Sequence, residues 1–147
     1  MSFAISDIRV FVYETLLDGG RMPTAADMAE HFGVTRDDVV DTLRTARIGK
    51  TLLPDPHTGE IWMAGPFSAR PTTYEVRRGA RRWWANCAWD MLGVANLVGH
   101  PVDISARCTD CGNSLDFQFA PATGTVPDWV VHFLVPARRW YDDIGFT

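Results

Sequence analysis

The chain lacks the features that announce a membrane, an export route or a polyanionic partner. None of its 147 residues belongs to an apolar run near the ~18 needed to cross a bilayer, so no membrane association is expected. The opening MSFAISDIRVFVYE has no basic stretch followed by an apolar block, and no signal peptide is expected. Basic charge is not in excess. Fourteen Lys and Arg against 18 Asp and Glu leave a net charge of −4, which gives no general attraction to nucleic acid or anionic lipid. Cysteine is scarce and odd in number, at three. Without an export signal that predicts free thiols in a reducing cytoplasm, where neighbouring cysteines point to metal binding or catalysis rather than to disulfides. Internal repeats and low-complexity stretches are absent.

What remains is a globular composition, 46% hydrophobic and 22% charged, of a length for one domain or two small modules. Residues 1–65 read as a winged-helix-like module. Ile5, Ile8, Phe11, Val12 and Leu16 recur at helical spacing, and Gly19 and Gly20 stop that helix. Thr24 with Asp27 makes a capping-box pattern for a second helix that Gly33 ends. Thr35 caps a third, with Val39, Val40 and Leu43 inward. TLLPDPHTGEIWM then reads as two short strands about the turn 55–59. Such a module often reads DNA. Here Arg36, Arg44 and Arg47 on the third helix are offset by Asp37, Asp38 and Asp41, and the wing has no Lys or Arg, so a packing role is preferred to nucleic-acid binding.

Residues 66–147 read as an α+β core: a small, mainly antiparallel sheet with one buried helix. TTYEV and RRWWA flank the turn RRGA. Asn86 is placed to cap a helix from about Cys87 to Val98. VDISARC, SLDFQFA and WVVHFLV alternate like strands, and PARRWYDDIG like a short helix or turn that opens on Pro136.

Two cysteine patterns carry the chemistry. In WWANCAWDMLG, Cys87 falls in the first turn of its helix, where free N–H groups and the helix dipole favour a thiolate. Asp90 lies three residues on, on the same face. Its charge opposes the thiolate, which suits a group that passes protons. Among Trp83, Trp84, Trp89 and Met91 it is expected to be desolvated and its pKa to rise. The alternative is a small buried thiol beside a solvent-facing acid. Cys108 and Cys111 form CTDC, half of a zinc ribbon. A structural zinc there would need two further ligands, from His132, His100, Cys87 or a second subunit. His31, His57 and His100 read as surface residues. The tryptophans read first as core. Alternatively Trp83, Trp84, Trp89, Phe67 and Phe133 would line a pocket.

GPFSARPT, WWANCAWDMLGVANLVG, ARCTDCG and VVHFLVPARRWYDDIGFT together resemble the organomercurial (alkylmercury) lyase family over nearly the whole chain. The resemblance implies protonolysis of a carbon–mercury bond, with an organomercurial and small thiols as partners, Hg(II) as bound product and no cofactor required. By motif, Cys87 would bind mercury and Asp90 would shuttle the proton. The family carries a second catalytic cysteine beyond the segment resembling DDIGFT, and here no cysteine follows Cys111. A metal site formed by Cys87 with Cys108 or Cys111 is therefore expected to supply the missing thiol, and an open sheet edge would favour a homodimer. The rival reading is a noncatalytic mercury-binding or sensing protein built on the same thiols.

Overall fold

The computed structural model describes residues 4–45 and 51–145. Helix α1 (Ile5–Gly19) buries Ile8, Val12 and Leu16, a spacing of four that sets them on one stripe. Gly20 closes it with a left-handed φ of 72°, its N–H donating to the Leu16 carbonyl. Helix α2 (Ala25–Phe32) begins with the reciprocal cap its sequence requires. Thr24 Oγ1 accepts from the Asp27 N–H, and the Asp27 carboxylate accepts from the Thr24 N–H. Thr35 and Asp38 repeat the device at helix α3 (Arg36–Thr45), which buries Val39, Val40 and Leu43.

The arginines of α3 are engaged by acids. Arg36 donates to Glu60 and to the Thr58 carbonyl, and Arg44 lies 4.0 Å from Asp41. Arg47 falls outside the described residues.

Strands β1 (Leu52–Pro54) and β2 (Ile61–Ala64) form the expected hairpin. Its turn is ordered by Asp55, whose carboxylate accepts the N–H groups of His57 and Thr58 and pairs with Arg70. Gly59 is required there: a Cβ would sit 2.5 Å from Val40 Cγ1, and φ is +73°. The hairpin is not a free wing. Strand β3 (Phe67–Ser68) pairs with β2 on one side and β5 (Arg81–Ala85) on the other. With β4 (Tyr74–Arg78), β6 (Val102–Arg107) and β7 (Ser114–Phe119), seven strands among the described residues form one antiparallel sheet, ordered β1-β2-β3-β5-β4-β6-β7. That sheet runs through residue 65, where the sequence suggests a boundary, and one apolar cluster extends from α1 to β7.

The helices and the sheet are joined by buried contacts. Trp83 is 2% exposed, and its indole N–H donates to the Leu16 carbonyl at 2.6 Å. Phe67 is fully buried, with Tyr13 edge-on at 6.1 Å. Truncating such an aromatic costs about 3–5 kcal/mol. Helix α4 (Ala88–Val98) packs on β4, β5 and β6 through Met91, Val94 and Ala95. Gly93 lets it close on the loop before β3, since a Cβ there would lie 3.1 Å from Pro66.

Two local expectations are corrected. The N-cap of α4 is Cys87, not Asn86: the helix opens at Ala88, and Cys87 is the extended residue before it (φ −146°, ψ 177°), with no side-chain cap bond. Residues 129–135, which alternate like a strand, are irregular. Val130 is 93% and Leu134 79% exposed, and no described strand pairs with them; alternation without a partner ladder does not hold a strand. Trp129 packs edge-on against Phe117 of the outer strand β7, ring centroids 5.3 Å apart. Past Pro136, Ala137–Arg139 makes one 3₁₀ turn.

Candidate active site

Cys87 and Asp90 sit together at the mouth of α4, in the wall of a cavity of about 220 Å³. Three distant parts of the chain enclose it. The hairpin gives Thr51, Leu53 and Met63; the start of α4 gives Asn86, Cys87, Trp89 and Asp90; the last segment gives Phe133, Trp140, Tyr141 and Ile144. The last segment is held in place locally. The Trp140 indole N–H donates to the Val135 carbonyl at 2.8 Å, and its ring lies 4.9 Å from Phe133. Gly145 lets the chain lie across β2, where a Cβ would strike the Trp62 ring at 2.5 Å.

Burial dominates the electrostatics of the pair. The Cys87 thiol is pushed up to about 11, first by burial and then by the charge of Asp90; the N–H groups of Asp90 and Trp89 pull it down but are outweighed. The helix-start thiolate expected from the sequence is therefore not the resting form: Cys87 keeps its proton at neutral pH. Asp90 is raised as the sequence predicts, by burial, with hydrogen bonding to Cys87 and Asn86 pulling the other way. A protonated thiol and a desolvated carboxylate in contact can pass one proton between them. Among the described residues, Asn86 Oδ1 is a buried acceptor with no hydrogen-bond partner.

The other thiols are elsewhere. Glu75 of β4 faces Trp84 of β5 on one side and Ser105 of β6 on the other, so β5 and β6 flank β4, run in the same direction and end at the same end of the sheet. Cys87 follows the first and Cys108 the second, two strand spacings apart, or about 10 Å. Neither Cys108 nor Cys111 lines the cavity. The structure thus does not gather Cys87, Cys108 and Cys111 into one centre. Among the described residues no group of three or more His, Cys, Asp or Glu is placed to hold a metal ion, so the zinc allowed by the sequence lacks a ligand set. Cys108 is the reverse of Cys87: the N–H groups of Cys111 and Asp110, then the Cys111 side chain, hold its thiol below the ordinary value.

Of the aromatics proposed as lining, Trp89 and Phe133 do line the cavity, whereas Trp83 and Phe67 are core and Trp84 carries Arg82 over its ring at 5.1 Å. Residues the sequence did not single out are Met63, Trp140, Tyr141 and Tyr13. The Tyr13 hydroxyl donates to the carbonyl of Gly65, which lines the cavity; its own pKa is raised by burial, lowered by Arg9 and raised by Asp90. Their positions depend on contacts far apart in the chain, which no local spacing records.

A family model described as alkylmercury lyase (MerB) matches residues 67–146. Among solved structures, the crystal structure of the mercury-bound form of MerB2 is similar, with a TM-score of 0.57 and 21% identity; the match covers 77% of this chain and 56% of that one. The chain thus spans a little over half the length of that relative, and at this identity the likeness concerns the fold. No curated protein matches.

Proposed function

Since the chain belongs to the alkylmercury lyase family, we propose that it cleaves carbon–mercury bonds by protonolysis, with Cys87 as the mercury ligand and Asp90 as the proton carrier. One observation carries this reading: the two groups share a desolvated cavity wall, and each has its pKa raised there. An organomercurial R–Hg carried as its small-thiol complex exchanges that thiolate for Cys87: the mercury–sulfur bond to the carrier breaks, the carrier leaves as thiolate, Cys87 forms the new sulfur–mercury bond, and its thiol proton passes to Asp90. Mercury is soft and takes a thiolate readily even where the free thiol is a weak acid. Asp90 then gives that proton to the carbon of R. The electron pair of the carbon–mercury bond becomes the new C–H bond, RH leaves, and Hg(II) stays on Cys87. A thiolate from the small-thiol pool takes the second position on mercury, because neither Cys108 nor Cys111 reaches the cavity.

Met63, Phe133 and Trp140 exclude water, so the carboxylic acid of Asp90 meets the carbon rather than solvent. The helical segment 1–65 serves as a support: Tyr13 and Trp83 tie it to the loop and strand beside the site. Among the described residues no helix is long and apolar enough to cross a membrane, and the three thiols are free; a reducing cytoplasm is the setting this chemistry needs.

The test is hydrocarbon release from a simple organomercurial in excess small thiol. The intact chain is expected to release it, Cys87→Ser to bind no mercury in the cavity, and Asp90→Asn to hold the organomercurial while releasing hydrocarbon about 10²–10⁴-fold more slowly. Mercury bound at Cys87 without any release would overturn the lyase reading and leave the noncatalytic one.

A further inference from the structure

We propose that Cys108 and Cys111 form a separate surface site for a two-coordinate thiophilic cation such as Hg(II). The argument begins with a turn fixed at both ends. Six register pairs, from Val102–Phe119 to Arg107–Ser114, lock β6 to β7. Between them the Cys108 N–H donates to the Asn113 carbonyl at 2.9 Å, and the Gly112 N–H donates to the Cys108 carbonyl at 3.0 Å. The Arg107 guanidinium holds the Gly112 carbonyl at 3.0 Å. Gly112, at φ 74°, supplies the left-handed step that turns the chain back. These bonds close the chain into a tight turn between the two cysteines, which brings Cys111 back beside Cys108 at the same end of the β6–β7 hairpin.

Ligand number selects the ion. Zinc asks for four donors, and among the described residues no third His, Cys, Asp or Glu joins these two. A soft ion satisfied by two thiolates asks for nothing more. At roughly 2.3 Å per metal–sulfur bond, it spans sulfurs about 4–5 Å apart. Cys111 is exposed and Cys108 half-buried, so an ion carried by small thiols can reach both. In the exchange each cysteine gives up its proton and forms one sulfur–mercury bond. The two carrier thiolates leave and take up those protons, and no electron changes hands. Once one sulfur holds the ion, the second bond closes within the turn, at an effective concentration that separate monothiols do not match.

The site stands apart from turnover at Cys87, and its test is made without it. The full-length Cys87→Ser chain, fully reduced, is given Hg(II) as its complex with about a 100-fold excess of a monothiol and then desalted. One mercury per chain is expected, with both remaining thiols blocked toward a thiol reagent and an equal dose of zinc without effect. Cys108→Ser and Cys111→Ser, each added to that background, are expected to weaken retention about 100-fold while melting at the parent temperature. Retention by either single-thiol chain at the parent level overturns the proposal, as does displacement of mercury by zinc. Hydrocarbon release plays no part in these readouts, so a failed lyase reading leaves the result intact.

Discussion

Cys87–Asp90 and Cys108–Cys111 have the same spacing, a cysteine and a second ionisable group three residues on, and the fold gives them opposite surroundings. The first pair sits at the start of α4 under the hairpin and the last segment. Burial there and the charge of Asp90 lift the thiol to about 11. The second pair occupies an open turn, where backbone N–H groups point at Cys108 and lower it. N–H groups face both sulfurs; what differs is how much water is left to solvate the charge. Spacing therefore names the partners, and desolvation decides which one keeps the proton.

Alkylation should expose this contrast most strongly. The two thiols differ by about 2 units or more, since one stands at about 11 and the other below 9.0. A lower pKa also makes a weaker nucleophile, which offsets roughly half of that gap. Cys108 is expected to react at neutral pH on the order of tenfold faster than Cys87, before accessibility is counted. Mass spectrometry of partly alkylated chain measures the ratio. Asp90→Asn removes a charge that raises Cys87 and should narrow the gap; an unchanged ratio would show that Asp90 does not act on this thiol.

A smaller effect is expected in stability at high pH. Cys87 holds its proton more tightly folded, at about 11, than its ordinary 9.0 allows. The native state then binds more protons than the unfolded one. That contribution is complete below about pH 9 and is lost as pH rises through about 11. Tyr13, raised above 10.0, acts in the same direction. The urea midpoint should fall over this window, less steeply in Cys87→Ser and in Tyr13→Phe. Cys108→Ser should not flatten the fall, because a thiol held below its ordinary value in the native state contributes stability that grows rather than shrinks as pH rises. An equal flattening by Cys108→Ser would break the distinction between the two sites.

The smallest effect serves as the control. Thr24→Ala removes a helix cap remote from both thiols and is expected to cost about 1 kcal/mol by urea unfolding while leaving the alkylation ratio untouched. A shift in that ratio would mean that the thiol chemistry follows global stability rather than local burial.

Local signals carried much of this architecture. Capping pairs at Thr24 and Thr35, the turn before Gly59, the RRGA hairpin and the apolar run after Cys87 all appear where residue chemistry puts them. So does the pairing of Cys87 with Asp90, because three residues on a helix is a local relation. What stayed hidden depends on distant pairing. Residues 129–135 have a strand's alternation without a strand's partner. Met63, Trp140 and Tyr141 line the cavity through contacts that only the sheet order creates.

The three-walled cavity also has a kinetic meaning. Residues 51–65, 86–90 and 133–145 meet only after two long loops have closed. Loop closure must precede the contacts that reward it, so such enclosures belong to the late steps of folding. The thiol turn between β6 and β7, by contrast, needs only its own hairpin. A nascent or partly unfolded chain would therefore present its outer pair of sulfurs before it had an interior in which to do chemistry.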